Sequence, residues 1–223
     1  MKLNLVLLYL GSYLCGGIPF GVVFARMKGI DLLKIGSGNI GATNVKRALG
    51  VKFALLVFLL DVSKAAVPAM LARLVVQHSL HGVPAQMFWF LAGLIAILGH
   101  CVSPFLGFKG GKGVSTALGM VVGAAPAVAI CCFSLFLVLL LTTRYMSLAS
   151  MIGVSSAVIF GWVLPGQARE LVPLYLLLGI FVAYRHRPNI QRLKEGTEPK
   201  FNFKEKTSGE PNPTGEVEPG VGQ

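Results

Sequence analysis

The chain has 223 residues, 54% of them hydrophobic and only 13% charged, with a mean hydropathy of +0.72. These values exclude an ordinary soluble domain and make lipid the solvent for most of the chain. The net charge of +11 does not argue for nucleic acid, because the basic residues gather in short segments between apolar runs, as in cytoplasmic loops lying beside anionic lipid.

Residues 3–25 form the first apolar run, interrupted by glycines and Pro19, which membrane helices tolerate when neighbours satisfy the freed carbonyls. Its short charged start resembles a signal peptide, but no small-x-small cleavage site convincingly follows, so it is read as a first span ended by Arg26 and Lys28. The polar segment 29–52 carries the glycine-rich stretch GSGNIGATN. Ser37, Asn39, Thr43 and Asn44 there offer hydrogen-bonding groups, while Gly36, Gly38 and Gly41 let the backbone curl around a small ligand. A plain loop is the blander reading.

Residues 53–76 make a second span with Asp61 and Lys64 inside it, three positions apart on one helical face. Charges inside a span are expensive, so the pair is either functional or mutually neutralising. The hydrophilic QHSLHGVPAQ follows; His78 and His81 have no further ligand nearby and do not make a metal site. Cys15, Cys101, Cys131 and Cys132 also lack metal-site spacing and are read as free packing residues.

A third span at 87–98 leads into GHCVSPFLGFKGGKGVST, residues 99–116. In it Lys109 and Lys112 bracket Gly110 and Gly111, and Gly113 follows, a composition suited to exposing backbone N–H groups and ammonium groups to phosphate. The apolar run from Gly113 predicts a helix whose N-terminus faces the same place, with the Ser115 and Thr116 hydroxyls in its first turn. It is not a nucleotide P-loop, since Leu106 stands where a glycine is required and Gly113 where Ser or Thr must follow the lysine.

Residues 113–141 are almost uncharged and long for one span. Splitting them at Pro126, into 113–124 going out and 127–141 returning, places Arg144 and Arg185 on the same side as the lysine loop after spans at 145–165 and 171–184. The expectation is an all-α membrane protein of about seven transmembrane helices, some short, with the N-terminus outside and the C-terminus cytoplasmic. The last polar segment, YRHRPNIQRLKEGTE at 184–198, offers His186, Asn189 and Arg192, with Pro188 placed to start a helix. Residues 1–198 are read as one membrane domain. Residues 199–223, rich in Pro, Gly and charge, are expected to be a disordered cytoplasmic tail.

GSGNIGATNVKRALG, GHCVSPFLGFKGGKG and RHRPNIQRLKEGTE resemble, in order and separation, the three signature segments of the bacterial membrane acyl-phosphate:glycerol-3-phosphate acyltransferases, the PlsY family. The resemblance runs from about residue 3 to 198, and Ala65 stands where the family leads one to expect glycine. It implies acyl transfer from acyl phosphate to the first hydroxyl of glycerol 3-phosphate, giving lysophosphatidate and phosphate at the cytoplasmic face of a bacterial inner membrane. It also implies a partner enzyme that makes acyl phosphate. By this resemblance Ser37, Arg47, Lys112, His186 and Asn189 are candidate catalytic residues. Asn39, Thr43, Asn44, His100, Lys109, Gly110, Gly111 and Arg192 are candidate substrate-binding residues, joined on local grounds by Lys64, Gly113 and Thr116.

The residues fit this chemistry independently. Arg47, Lys109, Lys112 and Arg192 suit substrates and products that all carry phosphate. Acyl phosphate is already an activated mixed anhydride, so no cofactor, metal or covalent nucleophile is expected, and positioning and charge stabilisation remain. Neither Asp31 nor Asp61 follows a histidine by five positions, so the His-x4-Asp dyad of thioester-using acyltransferases is absent. That leaves the substrate's own phosphate or a histidine as the proton acceptor. An anion transporter is the rival reading, but it calls for related halves and a polar path to the outer face, and no internal repeat is evident. A purely structural lipid-binding protein ranks third.

Overall fold

A computed structural model describes residues 2–203, and among them every regular element is a helix. Residues 204–223, where most of the expected tail falls, lie outside the described residues. The helices are α1 (Lys2–Gly17), α2 (Phe20–Met27), α3 (Ala42–Leu49), α4 (Val51–Val75), α5 (Ala85–Cys101), α6 (Val114–Ala124), α7 (Pro126–Thr143), α8 (Met146–Ser155), α9 (Ala157–Val163), α10 (Val172–Arg185) and α11 (Arg187–Lys194). Val51–Val75, Pro126–Thr143 and the α8–α9 stretch Met146–Val163 are long and apolar enough to cross a membrane. The first expected span is bent by 41° between α1 and α2, where Pro19 lacks the N–H that would continue the ladder.

The molecule turns its apolar surface outward. Leu7, Leu10 and Leu14 on α1, Leu59 and Leu74 on α4, Val138 and Leu141 on α7, and Ile159 and Trp162 on α9 are all exposed. Lipid tails solvate such side chains, so helices associate through close packing of small residues instead. Gly16 of α1 lies so near Ala96 of α5 that an added Cβ would sit 2.1 Å from the Ala96 carbonyl oxygen, and at Gly119 of α6 it would sit 2.0 Å from that of Val62 on α4.

Contacts along each helix fix its direction. Leu5 near the start of α1 packs with Ala72, Val76 and Trp89, whereas Ile18 just past its end meets Lys64, so α1 and α4 run oppositely. Gly119 lies against Val62 and Gly123 against Ala69, so α6 runs alongside α4 in the same direction. The chain breaks at Ala125, ahead of Pro126, and α7 returns: Ala124 is in the cluster with Leu5 and Trp89, while Arg144 beyond the end of α7 bonds to Phe201. Lys46, Lys112, Arg144 and Arg192 therefore share one end of the bundle, and the Leu80–Val83 turn occupies the other. The largest core cluster joins α5, α6, α7 and α10 around Phe90 and Tyr175, whose rings meet edge to face with centroids 5.2 Å apart.

Candidate active site

At that basic end a cavity of about 810 Å³ is lined by all three polar segments. The first is shaped by Asn44, whose buried side chain donates to the Leu32 and Ile35 carbonyls and accepts from the Ser37 N–H. Gly36, at φ +54°, has the left-handed backbone this curl requires, and a Cβ there would press on the Asn44 amide oxygen at 2.7 Å. Asn44 thus holds the loop, and it also lines the cavity. With the loop fixed, Ser37, Asn39 and Thr43 line the cavity, and α3 presents Lys46 and Arg47 to it. The Asn39 side chain accepts from the Gly41 N–H at 3.0 Å just before α3 begins.

The second segment is folded against the end of α5. The Ser103 hydroxyl donates to the Gly17 carbonyl at 2.6 Å, and the Ser103 N–H donates to the Lys109 carbonyl at 3.2 Å. Gly110 and Gly111 pack directly on His100: a Cβ on Gly111 would lie 2.1 Å from its Nε2. The Gly111 N–H donates to the His100 carbonyl, and Arg185 donates to the Gly110 and Gly111 carbonyls at 2.9 and 2.7 Å. These glycines allow this close packing, and neither lies in the cavity lining. Lys109 and Lys112 also part company, because Lys109 is exposed and outside the cavity lining, whereas Lys112 lines it.

Gly113, left-handed at φ +82°, turns the chain into α6, and Val114 and Ser115 in the first turn line the cavity. Their N–H groups have no partner within an α-helix, which leaves donors and the positive dipole end beside the lining. Thr116 is buried and donates to the Gly113 carbonyl at 2.9 Å, so its hydroxyl is withdrawn from the expected substrate role.

Lys64 lies behind the cavity wall. Its ammonium is buried, 2.8 Å from Asp61, 2.7 Å from His100 Nδ1 and 3.1 Å from the Ile18 carbonyl. It neutralises Asp61 and caps the chain where α1 breaks, and the cavity lining includes Asp61 and His100 but not Lys64. His100 meets the cavity only from a nearly buried position.

The third segment supplies a linked set. Lys112 donates to Asn189 Oδ1 at 2.5 Å, Asn189 Nδ2 donates to Glu198 at 2.7 Å, and Arg192 Nε donates to the same carboxylate at 2.8 Å. Ser147 at the start of α8 completes the set by donating to Glu198. Burial alone would raise the Glu198 pKa, but the bonds from Ser147, Asn189 and Arg192 outweigh it and hold the carboxyl below its usual range. Lys112 is pushed down to about 8 by burial, with Arg192, Arg185 and Arg47 adding repulsion and Glu198 opposing. His186 falls to about 4 through burial and the Lys112 charge, so it is neutral near pH 7. The His186 Nδ1–H donates to the Val182 carbonyl at 2.8 Å, which leaves the Nε2 lone pair as the free acceptor.

Glu198, Ser147 and Arg185 were missed by the reading of site residues. Glu198 and Glu195 are the two acidic residues in the basic segment 184–198, a weak signal for Glu198; for Ser147 there was none. Of the stretch expected to be disordered, Pro199, Phe201 and Phe203 line the cavity.

Away from its basic end the cavity is apolar. Val51, Leu55 and Phe58 on α4 face it, as do Phe133, Phe136 and Leu140 on α7. A smaller cavity of about 60 Å³ shares Phe58, Phe133 and Phe136 and extends the apolar lining to Leu118 and Leu178. A phosphate-sized cationic end joined to an apolar cleft is a shape suited to an amphiphile. Among the described residues no group of His, Cys, Asp and Glu is placed to hold a metal.

The family model described as glycerol-3-phosphate acyltransferase matches residues 6–196. The glycerol-3-phosphate acyltransferase of Aquifex aeolicus is 45% identical over 190 residues, covering 85% of this chain and 95% of the relative. That of Geobacter sulfurreducens is 42% identical over 200 residues, covering 89% and 98%. The crystal structure of PlsY, an integral membrane glycerol 3-phosphate acyltransferase, in its glycerol 3-phosphate form superposes with a TM-score of 0.81 at 43% identity, covering 89% of this chain and 96% of that one. Its lysophosphatidic acid form gives 0.79 at 42% identity with the same coverage.

Proposed function

This chain belongs to the glycerol-3-phosphate acyltransferase family, and from that premise we propose that it acylates the first hydroxyl of glycerol 3-phosphate with acyl phosphate as donor. The observation that carries the reading is the single cavity in which Arg47, Lys112 and Arg192 meet the α6 N-terminus at one end and the α4–α7 apolar cleft leads away at the other. Phosphate groups of both substrates fit the cationic end, and the acyl chain lies in the cleft.

In the step itself the glycerol hydroxyl oxygen attacks the acyl carbon, a new ester forms, and the bond from that carbon to the phosphate oxygen breaks. Lysophosphatidate and inorganic phosphate result. Ser37 and Asn189 orient the substrates, while Lys112 and Arg47 stabilise negative charge that grows on the departing phosphate. The hydroxyl proton passes to that phosphate. His186, with a pKa of about 4, is a weak base at neutral pH, and its Nε2 is better suited to accept a hydrogen bond that aligns the hydroxyl. Asn39, Thr43 and Arg192 complete the binding set.

We assign the cavity to the cytoplasmic face of a bacterial inner membrane, with seven crossings and residues 1–198 as one membrane unit. Support comes from the crowding of Lys46, Arg47, Lys112, Arg144 and Arg192 at the cavity end. An acyl-phosphate-producing enzyme is then the upstream partner.

The test is the purified protein assayed with glycerol 3-phosphate and either acyl phosphate or acyl-CoA of one chain length. Acyl phosphate should support turnover, with inorganic phosphate competing against it, because the product occupies the donor's phosphate position. Comparable turnover with acyl-CoA, whose thioester has no phosphate at the reacting carbon, would overturn the donor assignment.

A further inference from the structure

Residues 199–203 cross the polar end of the cavity. The Phe201 N–H donates to the Arg144 carbonyl at 2.6 Å, which fastens the stretch to the end of α7. On the other side Lys46 of α3 donates to the Asn202 carbonyl and stands over the Phe201 ring, 4.1 Å from its centroid. The rings of Phe201 and Phe203 meet edge to face at 5.0 Å. Pro199, Phe201 and Phe203 are thereby part of the cavity wall, with Phe203 49% exposed. This strap lies beyond residue 196, where the match to the family model ends.

We propose that Phe201 and Phe203 determine acceptor selectivity: they close the aqueous end of the cavity and keep water from the activated acyl carbon. The proposal rests on acyl phosphate being the donor. Water can attack the same carbon as glycerol 3-phosphate does; the bond to the phosphate oxygen then breaks, giving free fatty acid and inorganic phosphate. A site that binds the donor at its cationic end has to exclude that competing nucleophile while it waits for the acceptor, and two aromatic rings held by Arg144 and Lys46 over the opening do so.

The experiment uses the full chain in vesicles with hexadecanoyl phosphate and limiting glycerol 3-phosphate, and measures free hexadecanoate and lysophosphatidate together. Spontaneous hydrolysis is subtracted with heat-inactivated protein. In Phe201→Ala and Phe203→Ala the ratio of fatty acid to lysophosphatidate should rise by about threefold or more, and Phe201→Leu should restore most of the selectivity. Lys46→Met, which frees the strap and leaves both rings in place, should raise the ratio too, and it keeps the test decisive if Phe201→Ala fails to fold. An unchanged ratio in folded variants, whatever happens to the transfer rate, overturns the role. A wild-type protein inert toward hexadecanoyl phosphate but active with acyl-CoA would instead overturn the donor reading on which this one rests.

Discussion

Lys112 and Asn189 are joined by a hydrogen bond of 2.5 Å across 77 positions of sequence, tying the lysine loop to the start of α11. The contact holds the ammonium in the cavity, where burial and three neighbouring arginines have drawn its pKa down to about 8. As pH rises through about 8 the free enzyme loses this charge, so kcat/KM should fall across that region while kcat falls later, because bound phosphate favours the charged form. Stability should move the other way. The folded pKa is below the ordinary lysine value of 10.5, so between about 8 and 10.5 the unfolded chain binds more protons than the folded one, and unfolding becomes harder as pH rises. A kcat/KM profile flat to pH 10 would contradict the geometry.

Lys109 and Lys112 make a paired test. Lys109 is exposed and absent from the cavity lining, whereas Lys112 donates to Asn189 inside it. Lys112→Ala should reduce kcat/KM by on the order of a hundredfold or more, the loss of a charged hydrogen bond that also acts in the transition state. Lys109→Ala should stay within about twofold of wild type, as a surface charge screened by water does. Equal damage from the two would restore the reading in which both lysines bracket one phosphate.

Why that distinction escaped the sequence is instructive. Basic segments between apolar runs draw attention to the stretches that hold Arg47, Lys112, Asn189 and Arg192, and the resemblance to the acyltransferase family then singles these residues out as candidates. The Ala125–Pro126 break is legible because a proline falls midway in an apolar run too long for one span, whereas Pro68 is accommodated inside α4. Which of two lysines three positions apart faces inward depends on the Ser103–Lys109 pairing and the packing of Gly111 on His100, both of which are tertiary. Glu198 is similar: its role arises from donors at 147, 189 and 192 converging in space. Phe201 is hidden by neighbours whose composition otherwise signals disorder.

The buried Asp61–Lys64 pair should be visible in stability. Asp61→Asn leaves Lys64 charged and buried without its counter-charge, with neutral partners alone around it, which costs about 3–5 kcal/mol. Adding Lys64→Met removes the stranded charge, so the double variant should recover much of the lost melting temperature. Thermal unfolding in detergent checks this. A single variant as stable as wild type would mean that the pair does not hold α4 to the break after α1.

The final prediction concerns sidedness. Helix directions place Lys112 and Arg192 at the end of the bundle that carries Arg144, and His81 in the turn at the opposite end. The proposed function puts that basic end in the cytoplasm, as the positive-inside rule expects. In a background lacking Cys15, Cys101, Cys131 and Cys132, single cysteines at 81, 112 and 192 should therefore divide: in intact cells an impermeant maleimide should label position 81 alone, and after lysis it should reach 192 as well. Half-buried Lys112 should label more slowly than 192 even then. Because 112 precedes the α6–α7 turn and 192 follows it, the pair also tests that turn. If 192 were labelled in intact cells while 112 stayed protected, an odd number of crossings would separate them, and the return of α7 to the cavity end would have to be abandoned.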